Sequence, residues 1–116
     1  MEMTRLDARL SVSPQVQPDE LEEILRQGFR MVINNRPDGE EAGQPTSAEM
    51  EAAAGRLGLG YRHIPVAPGA LTVQEASASA SALRSADGPV LAYCRTGARS
   101  TKLWQATQEL SRGGGS

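Results

Sequence analysis

Two hydrophobic patterns alternate along most of the chain: short apolar runs, and longer segments in which apolar residues recur at helical spacing. Four short, mainly apolar runs predict strands at residues 10–13, 29–33, 61–66 and 89–93. The segments between and after these runs place apolar residues at helical spacing, which predicts helices. Alternation of strands and helices is typical of an α/β fold with a mainly parallel central sheet. We therefore predict a three-layer sandwich in which helices cover both faces of that sheet.

Capping residues and glycines mark the boundaries of the predicted helices. Three pairs have the spacing of a capping box: Asp19 with Glu22, Thr46 with Glu49, and Thr72 with Glu75. Gly28 and Gly58 follow the first two helices and are typical stop signals. The third helix is predicted to extend to residue 86, and the fourth to cover residues 100–110.

The segment between the last strand and the last helix carries the strongest candidate chemistry. A six-residue loop at residues 94–99 separates strand from helix. This order directs backbone N–H groups and the positive end of the helix dipole at one point, which favours an anion. Cys94 is the first residue of the loop, and Arg95 and Arg99 are close to it in sequence. We therefore expect the pKa of this thiol to lie below the free value of ~8.5.

Other side chains of this loop complete a candidate anion site. Arg99 can hold an oxyanion with a planar fork, and Gly97 lets the backbone turn inward. The hydroxyl of Ser100 or Thr101 is expected to donate to the sulfur. We predict Cys94 and Arg99 to be catalytic. The further anion-binding positions are Arg95, Thr96, Gly97, Ala98 and Ser100. The competing interpretation is a buried cysteine that only packs, but such a cysteine gains nothing from two nearby arginines.

The polar segment at residues 34–45 is the second candidate for function. Loops that follow parallel strands meet at one edge of the sheet, so this segment is expected beside Cys94. Its charged residues near the strand are Arg36, Asp38, Glu40 and Glu41. Asp38, or a neighbouring glutamate, is our candidate general acid; the alternative is a solvated acidic turn. His63 lies within a predicted strand, and we expect it to be packed or hydrogen-bonded rather than catalytic.

Three motifs carry a resemblance to known families. Residues 94–100 (Cys-Arg-Thr-Gly-Ala-Arg-Ser), taken alone, resemble the active loop of rhodanese-type sulfurtransferases. Residues 31–40 (Met-Val-Ile-Asn-Asn-Arg-Pro-Asp-Gly-Glu) and 61–66 (Tyr-Arg-His-Ile-Pro-Val) are similar to the phosphatase-like domain of beta-lactamase-hydrolase-like proteins. That family belongs to the tyrosine and dual-specificity phosphatase superfamily, and the resemblance extends over residues 10–110. The resemblance implies the fold of this superfamily, and it implies hydrolysis of phosphomonoesters through a phosphocysteine.

The loop also departs from the phosphatase superfamily pattern, His-Cys-x5-Arg. Tyr93 stands in the histidine position, Arg99 comes one residue early, and Ser100 stands where the arginine would be. The predicted loop after the third strand (residues 67–70) has no carboxylate. A shorter loop suits a single sulfur atom, so a sulfurtransferase that carries a cysteine persulfide is the alternative function. A non-enzymatic anion-binding module is the third.

Composition sets the remaining expectations. The 116 residues suit one domain, which we place at residues 10–110, with an N-terminal extension at 1–9 and a flexible tail at 111–116. A net charge of -2 gives no reason to expect nucleic acid or an anionic membrane as partner. One cysteine excludes an internal disulfide and a Cys-x-x-Cys metal motif. We expect a cytoplasmic protein without metal or cofactor that binds a small anionic substrate; the sequence does not specify its oligomeric state.

Overall fold

The computed structural model describes residues 2–114, with the side chains of residues 2–110. Five strands form one sheet: β1 (Thr4–Arg5), β2 (Leu10–Ser13), β3 (Met31–Asn34), β4 (Gly60–His63) and β5 (Val90–Tyr93). Four helices accompany them: α1 (Leu21–Arg26), α2 (Ser47–Leu57), α3 (Val73–Ser85) and α4 (Ala98–Gly114). The spatial order of the strands is β1-β2-β5-β3-β4. The β1–β2 pair is antiparallel and the other three pairs are parallel.

The sheet separates two hydrophobic cores. Successive residues of a strand point to opposite faces, so Val90 and Ala92 of β5 belong to one core, and Leu91 and Tyr93 belong to the other. Helices α3 and α4 cover the first face, and α1 and α2 cover the second. The predicted three-layer α/β sandwich with a mainly parallel sheet is therefore confirmed.

Strand order brings the candidate functional segments together. Strand β5 lies between β2 and β3, and all three run in the same direction. The loops that follow β2, β3, β4 and β5 therefore meet at the carboxyl edge of the sheet, where ligands bind in open α/β sheets. The segment after β3 lies directly beside the segment that begins at Cys94.

Two of the predicted capping boxes are confirmed and one is wrong. Glu49 accepts a hydrogen bond from the Thr46 N–H at 3.3 Å, and Glu75 accepts from the Thr72 N–H at 3.2 Å. The predicted pair of Asp19 and Glu22 does not form. A 3₁₀ turn at Pro18–Glu20 precedes α1, and Glu20 accepts instead from the Gln17 N–H at 2.7 Å. Proline favours the first position of a helical turn, which moves the cap to the residue before it.

Both ends of the domain differ from the predicted elements. Strand β1 lies within the predicted extension at residues 1–9 and pairs with β2; two exposed residues give no detectable hydrophobic pattern. Helix α4 begins at Ala98, two residues before the predicted start, and continues to Gly114. The predicted tail at 111–116 thus begins within α4, and its last two residues lie outside the described part. No helix among residues 2–114 is long and apolar enough to cross a membrane.

Two glycines of α2 provide a matched test of this backbone. Gly58 caps the helix with φ +72°, whereas Gly55 lies inside the helix, where an added methyl group would meet open space. Gly55→Ala should raise the free energy of unfolding by about 0.5–1 kcal/mol, since alanine is the better helix former. Gly58→Ala should lower it by about 1 kcal/mol, because a side chain strains this conformation. Urea denaturation of the two variants measures both changes, and equal effects would contradict the left-handed cap at Gly58.

Candidate active site

Cys94 follows the central strand β5 directly and is fully buried. Its Sγ accepts a hydrogen bond from the Gly97 N–H at 3.0 Å. Helix α4 begins only four residues after the cysteine, so the N–H groups of its first turn, which have no partner within the helix, lie close to the sulfur. The predicted strand–loop–helix arrangement is present, with a loop two residues shorter than expected.

Gly97 allows the chain to turn around the sulfur. Its φ is +97°, a conformation that strains other residues. A Cβ at this position would lie 3.5 Å from the backbone carbonyl carbon and oxygen of Ser13 at the end of β2, which is an ordinary van der Waals contact. The backbone turn, and not lack of space beside β2, is therefore what requires glycine here.

Backbone N–H groups favour the ionised form of Cys94. Burial of the sulfur is the largest effect and opposes ionisation. The backbone N–H groups of Ser100, Thr96, Gly97 and Arg99 outweigh it, so the pKa of Cys94 lies below its ordinary value. These groups all belong to the loop and the first turn of α4, as the sequence predicts.

The predicted hydroxyl donors to the sulfur are wrong. Ser100 Oγ donates to Asn35 Oδ1 at 2.8 Å, and Thr101 Oγ1 donates to the Gly97 carbonyl at 2.9 Å. A hydroxyl has one proton, so neither group is available to Cys94. Ser100 acts on the sulfur through its backbone N–H, while its side chain ties α4 to the segment after β3.

Arg99 presents one edge of its guanidinium to the protein. Nη1 and Nη2 donate to the two carboxylate oxygens of Glu40 at 2.7 and 2.8 Å, and Nη1 also donates to the Val66 carbonyl at 2.9 Å. A guanidinium has five N–H donors, so two remain: the Nε–H and the second Nη2 hydrogen. Glu40 raises the pKa of Arg99 most, burial opposes this, and Cys94 raises it further. The sulfur is thus a close neighbour of this arginine.

Glu40 lies between two arginines. Besides the two bonds from Arg99, it accepts one from Arg36 Nε at 2.9 Å. The hydrogen bonds from Arg99 lower its pKa most, burial opposes them, and Arg36 adds to the lowering, so the pKa of Glu40 is about 2. Glu40 is therefore ionised at neutral pH and holds Arg99; it is not suited to donate a proton.

Arg36 is buried, which the sequence did not indicate. Its side chain is 2% exposed and donates to three groups: Glu40, Gln15 at 2.9 Å and Glu41 at 2.7 Å. Glu41 also lies 3.7 Å from Arg95. Hydrogen bonding to Arg36 lowers the pKa of Glu41 most, with Arg95 as the next cause. The expected proximity of the segment after β3 to the cysteine loop is therefore observed, through Glu40 and Glu41.

Asp38 is exposed and lies at the start of α2. Its Oδ1 accepts a hydrogen bond from the Ser47 N–H, the first residue of that helix, at 2.8 Å. The structure thus brings Glu40 into contact with Arg99, and Asp38 into contact with the helix. The role of Asp38 as an acid stays a prediction.

Two further residues complete the site's surroundings. His63 Nε2 donates to the Arg36 carbonyl at 2.9 Å, which agrees with its predicted hydrogen-bonded role. Tyr93 is buried on the α1 and α2 side of the sheet, and burial raises its pKa. Its hydroxyl has no hydrogen-bond partner among the described residues. The described part of the chain also contains no group of His, Cys, Asp and Glu that could hold a metal ion.

Comparison with known proteins identifies the family of this domain. Residues 2–111 match the family model described as beta-lactamase hydrolase-like protein, phosphatase-like domain. The chain belongs to this family. The match covers the sheet, all four helices up to residue 111 and the cysteine loop, which confirms the resemblance expected from residues 31–40 and 61–66.

Relatives and solved structures agree with this assignment. The beta-lactamase hydrolase-like protein of Xylella fastidiosa (strain Temecula1) is 36% identical over 110 residues, which is 95% of this chain and 26% of that protein. The chain thus spans about a quarter of the length of the curated relatives it matches. NMA1982 of Neisseria meningitidis, a candidate phosphatase of known crystal structure, is 36% identical with a TM-score of 0.79, covering 87% of this chain and 72% of that one.

More distant structures share the fold. TpbA of P. aeruginosa, solved as a cysteine-to-serine variant in complex with pTyr, is 18% identical with a TM-score of 0.59. The match covers 82% of this chain and 54% of TpbA. The fold is therefore that of tyrosine-phosphatase-like proteins.

Alkylation of Cys94 tests the electrostatics of the loop. Because this is the single cysteine, its reaction with iodoacetamide can be followed without background. The reaction midpoint should lie at a lower pH in the folded protein than in urea, since N–H groups stabilise the thiolate. A depressed pKa also means that the thiolate stabilises the fold at high pH, and that this stabilisation is lost as the pH falls through the folded pKa. A midpoint equal to or above that in urea would contradict the assignment.

Proposed function

We propose that this domain is a cysteine-dependent phosphatase that hydrolyses phosphomonoesters through a phosphocysteine. The observation that supports this most directly is the pairing of a buried sulfur, surrounded by backbone N–H groups, with Arg99, which keeps two N–H donors beyond those bound to Glu40 and Val66. Two parallel N–H donors on a planar cation match the oxygen spacing of a phosphate. The family and the fold both support this chemistry.

The first step is attack of the Cys94 thiolate on phosphorus. The S–P bond forms and the ester P–O bond breaks, while the loop N–H groups and Arg99 stabilise the negative charge on the phosphoryl oxygens. A general acid protonates the departing alkoxide or aryloxide. Water then attacks the phosphocysteine, which releases inorganic phosphate and returns the thiolate.

Asp38 is the carboxyl group that best fits the role of acid. Glu40 and Glu41 are both paired with Arg36, and their pKa values are lowered by their arginine partners. Both are therefore held as carboxylates. Asp38 is on the same loop, is exposed, and makes no ion pair with an arginine among the described residues. We infer that this carboxyl group supplies the proton.

A phosphate ester is the substrate class that we infer. One protein of the same fold, TpbA, has been solved with pTyr, and the free edge of Arg99 suits a tetrahedral oxyanion. Arg95 follows Cys94 directly, and its side chain is 62% exposed. It therefore provides a second positive charge for an anionic substrate.

Sulfur transfer is the second candidate, and the four-residue spacing between Cys94 and Arg99 supports it. The thiolate would attack the outer sulfur of thiosulfate, the S–S bond would break, and sulfite would leave with the electron pair. The resulting persulfide would be stabilised by the same N–H groups and would pass its sulfur to an acceptor thiol. This route needs no general acid.

Turnover assays distinguish these functions. Wild-type protein should release phosphate from p-nitrophenyl phosphate, and Cys94→Ser should reduce release to background, because the nucleophile is lost. Arg99→Lys should lower kcat/KM about a hundredfold, since a lysine cannot form the bidentate contact. The exposed Arg62→Lys is the matched control and should not change the rate.

Parallel assays with thiosulfate and an acceptor thiol give the opposing outcomes. Sulfite release that depends on Cys94, with no phosphate release, would establish the sulfurtransferase in place of the phosphatase. Binding of phosphate without either turnover would support the anion-binding module.

Asp38→Asn tests the acid. Asparagine keeps an oxygen that can accept from the Ser47 N–H, so the start of α2 should be preserved. Loss of the acid should slow hydrolysis of phenyl phosphate about a hundredfold, but affect p-nitrophenyl phosphate far less, because p-nitrophenolate departs without protonation. Glu51→Gln, an exposed change on α2, is the control. Equal rates for wild type and Asp38→Asn on phenyl phosphate would exclude this role.

A further inference from the structure

The largest fully buried side chain in the described part of the chain is an arginine, Arg36. A buried guanidinium destabilises a fold unless it is paired and hydrogen-bonded. Nε, Nη1 and Nη2 of Arg36 donate to Glu40, Gln15 and Glu41, respectively. All three acceptors lie on loops at the carboxyl edge of the sheet, where the cysteine loop is, rather than in either hydrophobic core.

The partners of Arg36 reach both sides of the cysteine loop, the segment 94–97 between β5 and α4. On one side, Glu40 holds Arg99 through two hydrogen bonds. On the other side, Glu41 lies 3.7 Å from Arg95 Nη2, and the Gln15 N–H donates to the Arg95 carbonyl at 3.3 Å. Arg36 thus links the two flanks of the loop through Glu40, Glu41 and Gln15.

Arg36 and Arg99 both donate to the carboxylate of Glu40. Oε1 of Glu40 accepts from Arg36 Nε at 2.9 Å and from Arg99 Nη2 at 2.8 Å, while Oε2 accepts from Arg99 Nη1 at 2.7 Å. The bond from Arg36 restrains Oε1 and therefore limits rotation of the plane of the carboxylate. Since Arg99 pairs with both oxygens, this plane sets the direction of its free Nε–Nη2 edge.

We propose that Arg36 is a positioning residue: through Glu40 it orients Arg99 so that the free edge of this guanidinium meets the oxyanion above Cys94. This inference rests on the proposed phosphatase function for its catalytic meaning, but not for oxyanion binding itself. The side-chain hydrogen bonds of Arg36 go to Glu40, Gln15 and Glu41, and none of them goes to Cys94.

Charge compensation is the alternative role for Arg36, and it predicts a different result for Arg36→Lys than a positioning role does. Arg36 and Arg99 balance Glu40 and Glu41, and lysine at position 36 would keep this balance. Lysine has no planar fork, however, and cannot donate to three acceptors in fixed directions. A role in charge compensation is therefore retained by Arg36→Lys, whereas a role in positioning is lost.

The test measures phosphate binding without requiring turnover. Inorganic phosphate should protect Cys94 of the wild-type protein from iodoacetamide. In Arg36→Lys the phosphate concentration for half-protection and the KM for p-nitrophenyl phosphate should rise about tenfold, since one charged hydrogen bond to Glu40 is lost. The pH midpoint of alkylation without phosphate should change much less than the half-protecting phosphate concentration, because backbone N–H groups lower the pKa of Cys94 most. Arg62→Lys is the matched control, as the side chain of Arg62 is exposed and, among the described residues, donates to the neighbouring Tyr61 carbonyl alone.

A double-mutant cycle tests whether the effect passes through Glu40. If it does, Arg36→Lys should change the phosphate concentration for half-protection less than twofold when Glu40→Gln is already present. A merely structural role would give the same factor in both backgrounds. Gln15→Ala removes the Nη1 acceptor and provides a second variant if Arg36→Lys does not fold; it should shift half-protection in the same direction by a smaller factor.

The outcomes separate this inference from the proposed function. Half-protection in Arg36→Lys and in Gln15→Ala equal to wild type would overturn the inference, whether or not phosphate is released from the ester. An equal factor in both arms of the cycle would also overturn it. Arg36-dependent protection in a protein that hydrolyses no phosphate ester would overturn the phosphatase assignment and leave the positioning role supported.

Discussion

The sulfur of Cys94 is buried at the end of the central strand, and a negative charge there loses most of its water. The fold compensates through backbone groups. Because α4 starts at Ala98, the N–H groups of its first turn have no carbonyl partners within the helix, and they lie around the sulfur. Gly97, with φ +97°, brings its own N–H to 3.0 Å from Sγ. Ionisation of the cysteine therefore depends on how strand and helix join, and less on neighbouring side-chain charges.

Arg99 adds a cation beside the sulfur, and its orientation is set mainly by Glu40. One edge of its guanidinium is committed to Glu40 and to the Val66 carbonyl, so its rotation is restricted before any ligand arrives. In the proposed function, an oxyanion would meet two donors that are already oriented, which would reduce the entropy lost on binding. A lysine could supply the charge, but it lacks a second edge. The glutamate and the arginine are thus one structural unit.

The sequence predicts some of this site because local rules apply there. A cysteine between an apolar strand and an amphipathic helix indicates the anion site, and the pairs at Thr46 and Thr72 indicate helix starts. Arg36 was expected at the edge of the sheet beside Cys94, but its burial was not expected. The local sequence of a polar loop does not show which other side chains will enclose a charged residue. Ser100 was assigned to the sulfur because of its position in the loop; its contact with Asn35 arises from a residue 65 positions away. Tertiary contacts of this kind follow from strand order and are not encoded in local spacing.

Strand order also explains why polar residues can be buried directly after β3. This strand lies beside β5, so its continuation follows the cysteine loop. Asn34 and Asn35 are buried and hydrogen-bonded: Asn34 accepts from the Arg36 N–H at 2.9 Å, and the Asn35 N–H donates to the Tyr93 carbonyl at 2.8 Å. Asn35 also donates to the Ile64 carbonyl at 2.9 Å, which connects the segments after β3, β4 and β5. Because unpaired polar groups are costly in such an environment, this network has few alternative arrangements. The orientation of the cysteine loop is consequently fixed by its neighbour in the sheet as well as by its own sequence.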